Sequence, residues 1–362
     1  MDLTPAQAAA LEHVRAHAAT RSDHAQRLLG HVLRMSAIPA VELDRLRDAI
    51  RSRACVALHF HPDRPQADGR TALEGLLASG IYKSQFETGT SSGSVSATPG
   101  GDRDRWEHDL FGAAYHAQGV APAERPKYGA LDLLGHGDGP SPRFGSAYLV
   151  LQPHVSARST FTWLDSFRLP AERGTVDALD DVLAALLAEC FEREVALGLS
   201  GVRPPQLLES IHRRLCALPA RTGSSPSRNL DHYIEAQVHG TVSLARDAST
   251  LVMDASFRGT DVDALADKLA ARYALERAWA PGFALGVEDV PSDFRGETMP
   301  SLARRIARGD VVDAATVGQA AQSLHAEPAA WADRGDPAAV LQELKLLWHC
   351  LVRYGHPVDR PS

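Results

Sequence analysis

The sequence predicts an α+β protein, on three observations. Strand-like patterning recurs over 56–61, 127–131, 144–152, 231–240 and 250–253. Helical periodicity instead covers 1–53, 176–197, 205–218 and the chain from Asp261 onward. The composition, 44% apolar and 23% charged over 362 residues, is that of a chain able to bury a core. Together these give a sheet core over about 55–258, interrupted by a helical insertion at about 176–218. A helical region, 1–54, precedes the core, and another, 261–362, follows it.

In the first region Ala8, Ala9, Leu11 and Val14, then Leu28, Leu29, Val32 and Leu33, repeat at helical spacing. The pattern changes at Cys55. In Val56-Ala57-Leu58-His59-Phe60-His61, Val56, Leu58 and Phe60 share one strand face, and Ala57, His59 and His61 the other. Pro62 lacks an amide donor and ends the strand. A short helix over 71–80 stops at Gly80. A strand over 81–88, a loop over 89–101 and a helix over 103–115 come next. After the insertion, which a loop at 222–226 closes, three strands are expected at 231–240, 241–245 and 250–253. The last helix, 340–354, carries Leu344, Leu347, Trp348 and Leu351 on one face.

Charge and cysteine content narrow the function classes. A formal charge of -7 disfavours a general nucleic-acid binder, whose affinity rests on phosphate neutralisation. No apolar run approaches the about 20 residues that span a bilayer. Cys55, Cys190, Cys216 and Cys350 are far apart, which fits a reduced compartment and argues against a thiolate zinc site. Met1-Asp2-Leu3-Thr4-Pro5 lacks the regions of a secretory signal, so a cytoplasmic location, or delivery into another cell without a cleavable signal, is expected.

Three constellations are chemically suggestive. His59 and His61 project from one strand face about 6.5–7 Å apart, given the strand rise. They suit metal ligation, a hydrogen bond to a ribose hydroxyl, or simply a polar strand face. Metal ligation needs further ligands from His108, His136, His154, His232 or His239. Tyr233, Glu235, Gln237 and His239 share one face of a second strand, opposite Ile234, Ala236 and Val238. A carboxylate so placed in a cleft can hold a sugar hydroxyl and stabilise an oxocarbenium-like cation; the alternative is a solvated sheet face. Finally, the loop 86–94 has small residues whose amides could cradle an anion, but it lacks the Lys-Ser/Thr of a P-loop. Tyr128 and Phe144 lie near glycines and could stack a flat ring or pack in the core.

The order of Leu58-His59-Phe60-His61-Pro62, then Ala72-Leu73-Glu74-Gly75-Leu76-Leu77-Ala78-Ser79-Gly80-Ile81, then the Glu235 strand, resembles the ADP-ribosyltransferase fold. The stretch from about His59 to Phe257 also resembles a bacterial family known only as a domain of unknown function. The phrases His59-Phe60-His61-Pro62-Asp63-Arg64, 84–90, 100–107, 125–131 and Glu235-Ala236-Gln237-Val238-His239-Gly240 carry that second resemblance.

The transferase resemblance implies a split sheet, with NAD bound as substrate between the first strand and the Glu235 strand. It implies that His61, or its alternate His59, holds a ribose of NAD. Glu235 would stabilise the ribose cation as nicotinamide leaves. Tyr82, Tyr128 and Phe144 are the candidates to stack nicotinamide. Ser146 would supply a middle-motif hydroxyl, and Gln237 joins the cofactor-binding set. Tyr233 stands where arginine-modifying members carry Glu or Gln, and no Ser-Thr-Ser motif follows the first helix. The acceptor class therefore stays open, with protein as first choice, and no metal is called for. Two rival readings are a metal-dependent hydrolase using His59 and His61, and a non-enzymatic interaction module.

Overall fold

The computed structural model describes residues 3–89, 97–216 and 226–358. Its core is one mixed eight-stranded sheet: β1 (Cys55–Phe60), β2 (Lys127–Asp132), β3 (Ala147–Leu151), β4 (Ser159–Trp163), β5 (Arg173–Thr175), β6 (Ile234–Val238), β7 (Ala248–Asp254) and β8 (Glu276–Ala280). The spatial order is β8-β7-β3-β1-β2-β6-β4-β5. Only the β7–β8 pair is parallel.

Each helix starts and stops for a local reason. Three N-terminal helices, α1 (Pro5–Thr20), α2 (Ser22–Met35) and α3 (Ala40–Arg53), form the predicted first region. Thr4 and Gln7 close a capping box on α1, satisfying two otherwise orphaned amides. The next helix, α4 (Ala72–Ser79), is capped in the same way by Thr71 and Glu74. It ends at Gly80, whose φ of 66° is the left-handed value that glycine adopts without penalty. Helix α5 (Asp102–Phe111) follows. The insertion supplies α6 (Asp180–Arg193) and α7 (Pro204–Cys216). Beyond the sheet come α8 (Asp261–Tyr273), α9 (Met299–Ile306), α10 (Ala314–Ala326) and α11 (Pro337–Tyr354).

The alternation read in β1 sets the packing. Val56, Leu58 and Phe60 enter the main core, while Ala57 joins Tyr148, Val150 and Val252 in a smaller cluster on the other face. The main core is contiguous from Ala25 in α2 to Val352 in α11. Each fully buried large apolar side chain contributes on the order of 1.5–3 kcal/mol. Leu344, Leu347, Trp348 and Leu351 are all buried, as the helical stripe predicted.

Several expectations need correction. The 81–88 strand is only Ile81–Tyr82, because Ser84 and Glu87 cap a one-turn helix over Gln85–Thr88. The 241–245 strand is only Val242–Ser243, which pairs with Ile81–Tyr82. Strands β4 and β5 fall in a stretch, 153–175, where no element was expected. The C-terminal region is not wholly helical. Strand β8 extends the sheet beyond residue 260, and Ala284–Gly286 pairs with Val311–Asp313. The face of β6 that carries Glu235 is not solvated, since Tyr233, Glu235, Gln237 and His239 are all buried. Residues 90–96, most of the suspected anion loop, and 217–225, which include most of the 222–226 loop, lie outside the described residues.

The sheet is continuous, but it parts at one place. Strands β1 and β2 pair only through Cys55–Asp132, Val56–Leu131 and Ala57–Ala130. Beyond Ala57, Leu58, His59 and Phe60 pair only with β3. Lys127, Tyr128 and Gly129 pair only with β6. Gly129 sits where the strands diverge. A Cβ there would lie 2.4 Å from the Ala57 carbonyl oxygen and 2.6 Å from Leu58 Cδ2. Only glycine fits that approach.

Candidate active site

A cavity of about 180 Å³ occupies the gap between the parted strands. Its walls include His61, Tyr82, Tyr128, Phe144 and Glu235, residues spread over 175 positions of the chain. With His59, six of the eight side chains expected from the sequence thus meet at one place. His59 borders the same cavity, while Ser146 and Gln237 stand behind it.

The two histidines have different environments. The His59 ring stacks on Tyr148, with centroids 4.8 Å apart. Its Nδ1 lies 3.3 Å from the Gly145 carbonyl oxygen, and its Nε2 accepts from the Ser141 amide at 3.4 Å. Both ring nitrogens are therefore committed to backbone groups, and the tautomer protonated on Nδ1 is the one that fits. Gly139 closes over this ring, where a Cβ would fall 2.5 Å from Nε2.

His61 follows the end of β1. Its Nδ1 lies 3.4 Å from Ser146 Oγ, and its ring meets the Trp348 ring edge-on at 5.4 Å. Burial, then the nearby Arg64 guanidinium, hold its pKa well below the ordinary value, so the imidazole is neutral. Its Nε2 has no hydrogen-bond partner among the described residues. This separates the pair: His59 fastens the β1 end to the 139–145 segment, and His61 offers a ring nitrogen to the cavity. We expect His59→Gln to lower the melting temperature and His61→Gln to leave it nearly unchanged. Thermal denaturation of both variants checks this.

Glu235 is held from two sides. Its Oε2 accepts from the Ser166 amide at 3.3 Å, and its Oε1 accepts from Gln237 Nε2 at 2.9 Å. Gln237 is in turn fixed by Thr160, whose hydroxyl donates to Gln237 Oε1 at 2.8 Å. Gln237 is fully buried and orients the carboxylate rather than lining the cavity. Ser146 likewise touches His61 rather than the cavity. Burial, with Asp165 next, pushes the Glu235 pKa up to about 8, while Arg103 and the Ser166 and Gln237 hydrogen bonds oppose the shift.

The Ser166 amide is aimed by a strained turn. Asp165 accepts from the Phe167 amide at 3.1 Å and from the Tyr233 hydroxyl at 2.8 Å. Leu164 and Leu169 flank the turn with φ of 64° and 47°. Left-handed backbone is uncommon for leucine, and such strain persists only where the surroundings over-determine it.

The three aromatic candidates are placed unequally. Arg103 lies over the Tyr128 ring at 4.3 Å, and the Tyr128 hydroxyl donates to Glu107 Oε1 at 2.8 Å. Tyr128 is thus engaged on a face and at its tip. Phe144 meets Tyr233 edge-on at 5.6 Å. Tyr82 donates from its hydroxyl to the His59 carbonyl oxygen at 3.2 Å.

The sequence reading missed Arg103, Asp165 and Ser166. The signal for the last two was present: Ser159-Thr160-Phe161-Thr162-Trp163 has strand propensity and ends at the turn-forming Asp165. Arg103 had no such signal, because it reaches the site from the first turn of a charged helix.

Among the described residues, no group of three or more His, Cys, Asp or Glu side chains is arranged to hold a metal ion. No helix among them is long and apolar enough to cross a membrane.

The family described as "Protein of unknown function (DUF3626)" matches residues 55–354. The chain belongs to that family. No curated protein matches the chain.

Proposed function

We propose that this family member is an NAD-dependent ADP-ribosyltransferase. NAD is its substrate. The enzyme breaks the bond between nicotinamide and ribose and passes ADP-ribose to an acceptor, with a protein side chain as the first choice. One observation carries the reading. Where the sheet parts, a neutral histidine just past the end of β1 and an anchored glutamate from β6 line the same cavity, with Tyr82 and Phe144 beside them. The parted strands support the split sheet that the resemblance implies.

In this reading His61 Nε2 accepts from, or donates to, a ribose hydroxyl, and Ser146 fixes the ring. Glu235 accepts a hydrogen bond from a hydroxyl of the nicotinamide ribose. As the C–N bond breaks, its electron pair leaves with nicotinamide and positive charge grows on the ribose carbon and ring oxygen. The buried Glu235 carboxylate stabilises that charge. The acceptor's lone pair then forms the new bond to that carbon, and the acceptor loses a proton. Tyr82 and Phe144 supply apolar surface for the nicotinamide ring.

The metal-dependent hydrolase is less well supported, because both ring nitrogens of His59 are committed and no ligand cluster forms among the described residues. An interaction module does not account for a buried carboxylate held in a cavity by a strained turn.

The required ionic state of Glu235 predicts a pH profile. Its carboxyl is pushed up to about 8, so the free enzyme is largely protonated at neutral pH. If the carboxylate is the working form, kcat/KM should rise with pH and level off above about 8. A pH series of nicotinamide release checks this. A profile that falls through that range would assign the protonated form instead.

A further inference from the structure

The proposed reaction leaves one proton without a destination. The acceptor must lose it, and Glu235 cannot take it while its carboxylate stabilises the ribose cation. His61 is a poor recipient, because burial and then Arg64 disfavour its protonated form. Lys127 Nζ is occupied by three carbonyl oxygens, those of Ala123, Arg125 and Gly240. Among the described residues, one other carboxylate lines the cavity, that of Asp165.

Asp165 is delivered to the site by the turn that anchors Glu235. Strands β4 and β6 pair through Thr162–Glu235 and Trp163–Ile234, and the Leu164 amide donates to the Tyr233 carbonyl oxygen at 3.1 Å. Asp165 follows where that ladder ends, and the next residue, Ser166, gives its amide to Glu235 Oε2. The Asp165 side chain is itself held from β6. Tyr233, two residues before Glu235 on the same strand face, donates its hydroxyl to Asp165 Oδ2 at 2.8 Å, and the Phe167 amide donates to Oδ1 at 3.1 Å. Each carboxylate oxygen has two lone pairs, so each keeps one for a donor arriving in the cavity.

We propose that Asp165 is a second catalytic residue, the base that takes the acceptor's proton, and that the acceptor's nucleophilic atom therefore bears one, as a hydroxyl does and a carboxylate does not. The inference rests on the transferase reading. Nicotinamide leaves with the electron pair of its bond to ribose, as a neutral molecule. A lone pair of the acceptor atom forms the new bond to the ribose carbon, the bond from that atom to its proton breaks, and the proton passes to Asp165, which returns it to water. Tyr233 is a positioning residue in this step, since its hydroxyl aims the Asp165 carboxylate. Paired carboxylates divide the work in the same way at glycosidic bonds, one meeting the cation and the other moving the proton.

The test uses the full chain with labelled NAD and two probe nucleophiles: methanol, which must lose a proton, and azide, which has none to lose. Wild type should release nicotinamide and form the methyl and azido products. Asp165→Asn keeps the volume and one acceptor oxygen. It should slow transfer to water and methanol by about a hundredfold or more, with NAD affinity near wild type and azide transfer within about tenfold of it. Glu235→Gln should lose transfer to both probes, because the cation itself is no longer stabilised. Tyr233→Phe should slow methanol transfer more than azide transfer, and it carries the test if Asp165→Asn does not fold. An aspartate that only builds the turn would, when replaced, displace the Ser166 amide and Glu235, and both probes would be slowed alike. Equal slowing of the two probes, or no slowing of either, in the folded variant would overturn the assignment and leave the transferase reading intact. No nicotinamide release by wild type with methanol, azide or cell lysate present would overturn that reading and the assignment with it.

Discussion

Glu235→Gln lowers the rate of nicotinamide release and transfer by about a hundred- to thousandfold and leaves NAD affinity nearly unchanged. Glutamine preserves the volume and can still accept the Ser166 amide. What is lost is the negative charge, which matters once the ribose becomes cationic. An interaction made mainly in the transition state affects kcat when removed, not binding. The same variant loses the hydrogen bond from Gln237 at a cost that does not depend on pH, but is spared the pH-dependent penalty that wild type bears, and the sign of that part follows from the shift. The carboxyl is raised above its unfolded value to about 8, so the native state holds its proton more tightly than the unfolded chain. That contribution is fully present below the unfolded value and is lost as pH rises through about 8. Glutamine cannot ionise, so the melting-temperature difference between variant and wild type should move in the variant's favour as pH rises through that range. Single-turnover kinetics, NAD titration and melting curves on both proteins separate these effects. Near wild-type turnover would remove Glu235 from the mechanism.

Trp348→Ala costs about 3–5 kcal/mol of stability, the range for truncating a large buried aromatic side chain. Trp348 is 1% exposed, contacts Phe283 and His61 by ring edges, and donates to the Pro142 carbonyl oxygen. Removing it leaves a cavity under His61 and takes from the Pro142 carbonyl oxygen one of its two hydrogen bonds, the other coming from the Gly145 amide. At about 2.1 cal/mol/K of unfolding entropy per residue, a chain of 362 residues shifts by roughly 1.3 °C per kcal/mol, so the melting temperature should fall by about 4–7 °C. Trp348→Phe keeps most of the packing and loses the hydrogen bond, so it should cost about 1–2 kcal/mol. Chemical denaturation of the two variants measures both numbers. A loss below about 1 kcal/mol for Trp348→Ala would mean that α11 does not brace the site.

The sequence carried the elements with strong periodicity. Alternation in Val56–Phe60 gave both faces of β1, and the apolar stripe of α11 was read with the correct buried residues. The glycine stop at Gly80 was legible because a left-handed cap needs glycine. The extents of short strands were not legible, although strands were expected within 81–88 and 241–245. Val242–Ser243 and Ile81–Tyr82 are two-residue strands, fixed by each other rather than by local pattern. Strand β8 follows a helix in a segment whose polar and aromatic residues do not alternate.

At the site, the sequence identified the residues that point inward but not what holds them. Strand alternation put Glu235 and Gln237 on one face, yet it could not show that Gln237 grips Glu235 or that the Ser166 amide arrives from β4's turn. His59 and His61 were equivalent by spacing. They became distinct only when Gly145 and Ser141 proved to use both nitrogens of His59.

The most direct test of the account is incubation of the purified full chain with NAD labelled separately in the nicotinamide and the adenylate, with and without cell lysate. The account predicts free labelled nicotinamide and adenylate label transferred to an acceptor, or free ADP-ribose if water accepts, both abolished by Glu235→Gln. A folded protein that releases no nicotinamide from millimolar NAD, with lysate present, would contradict it.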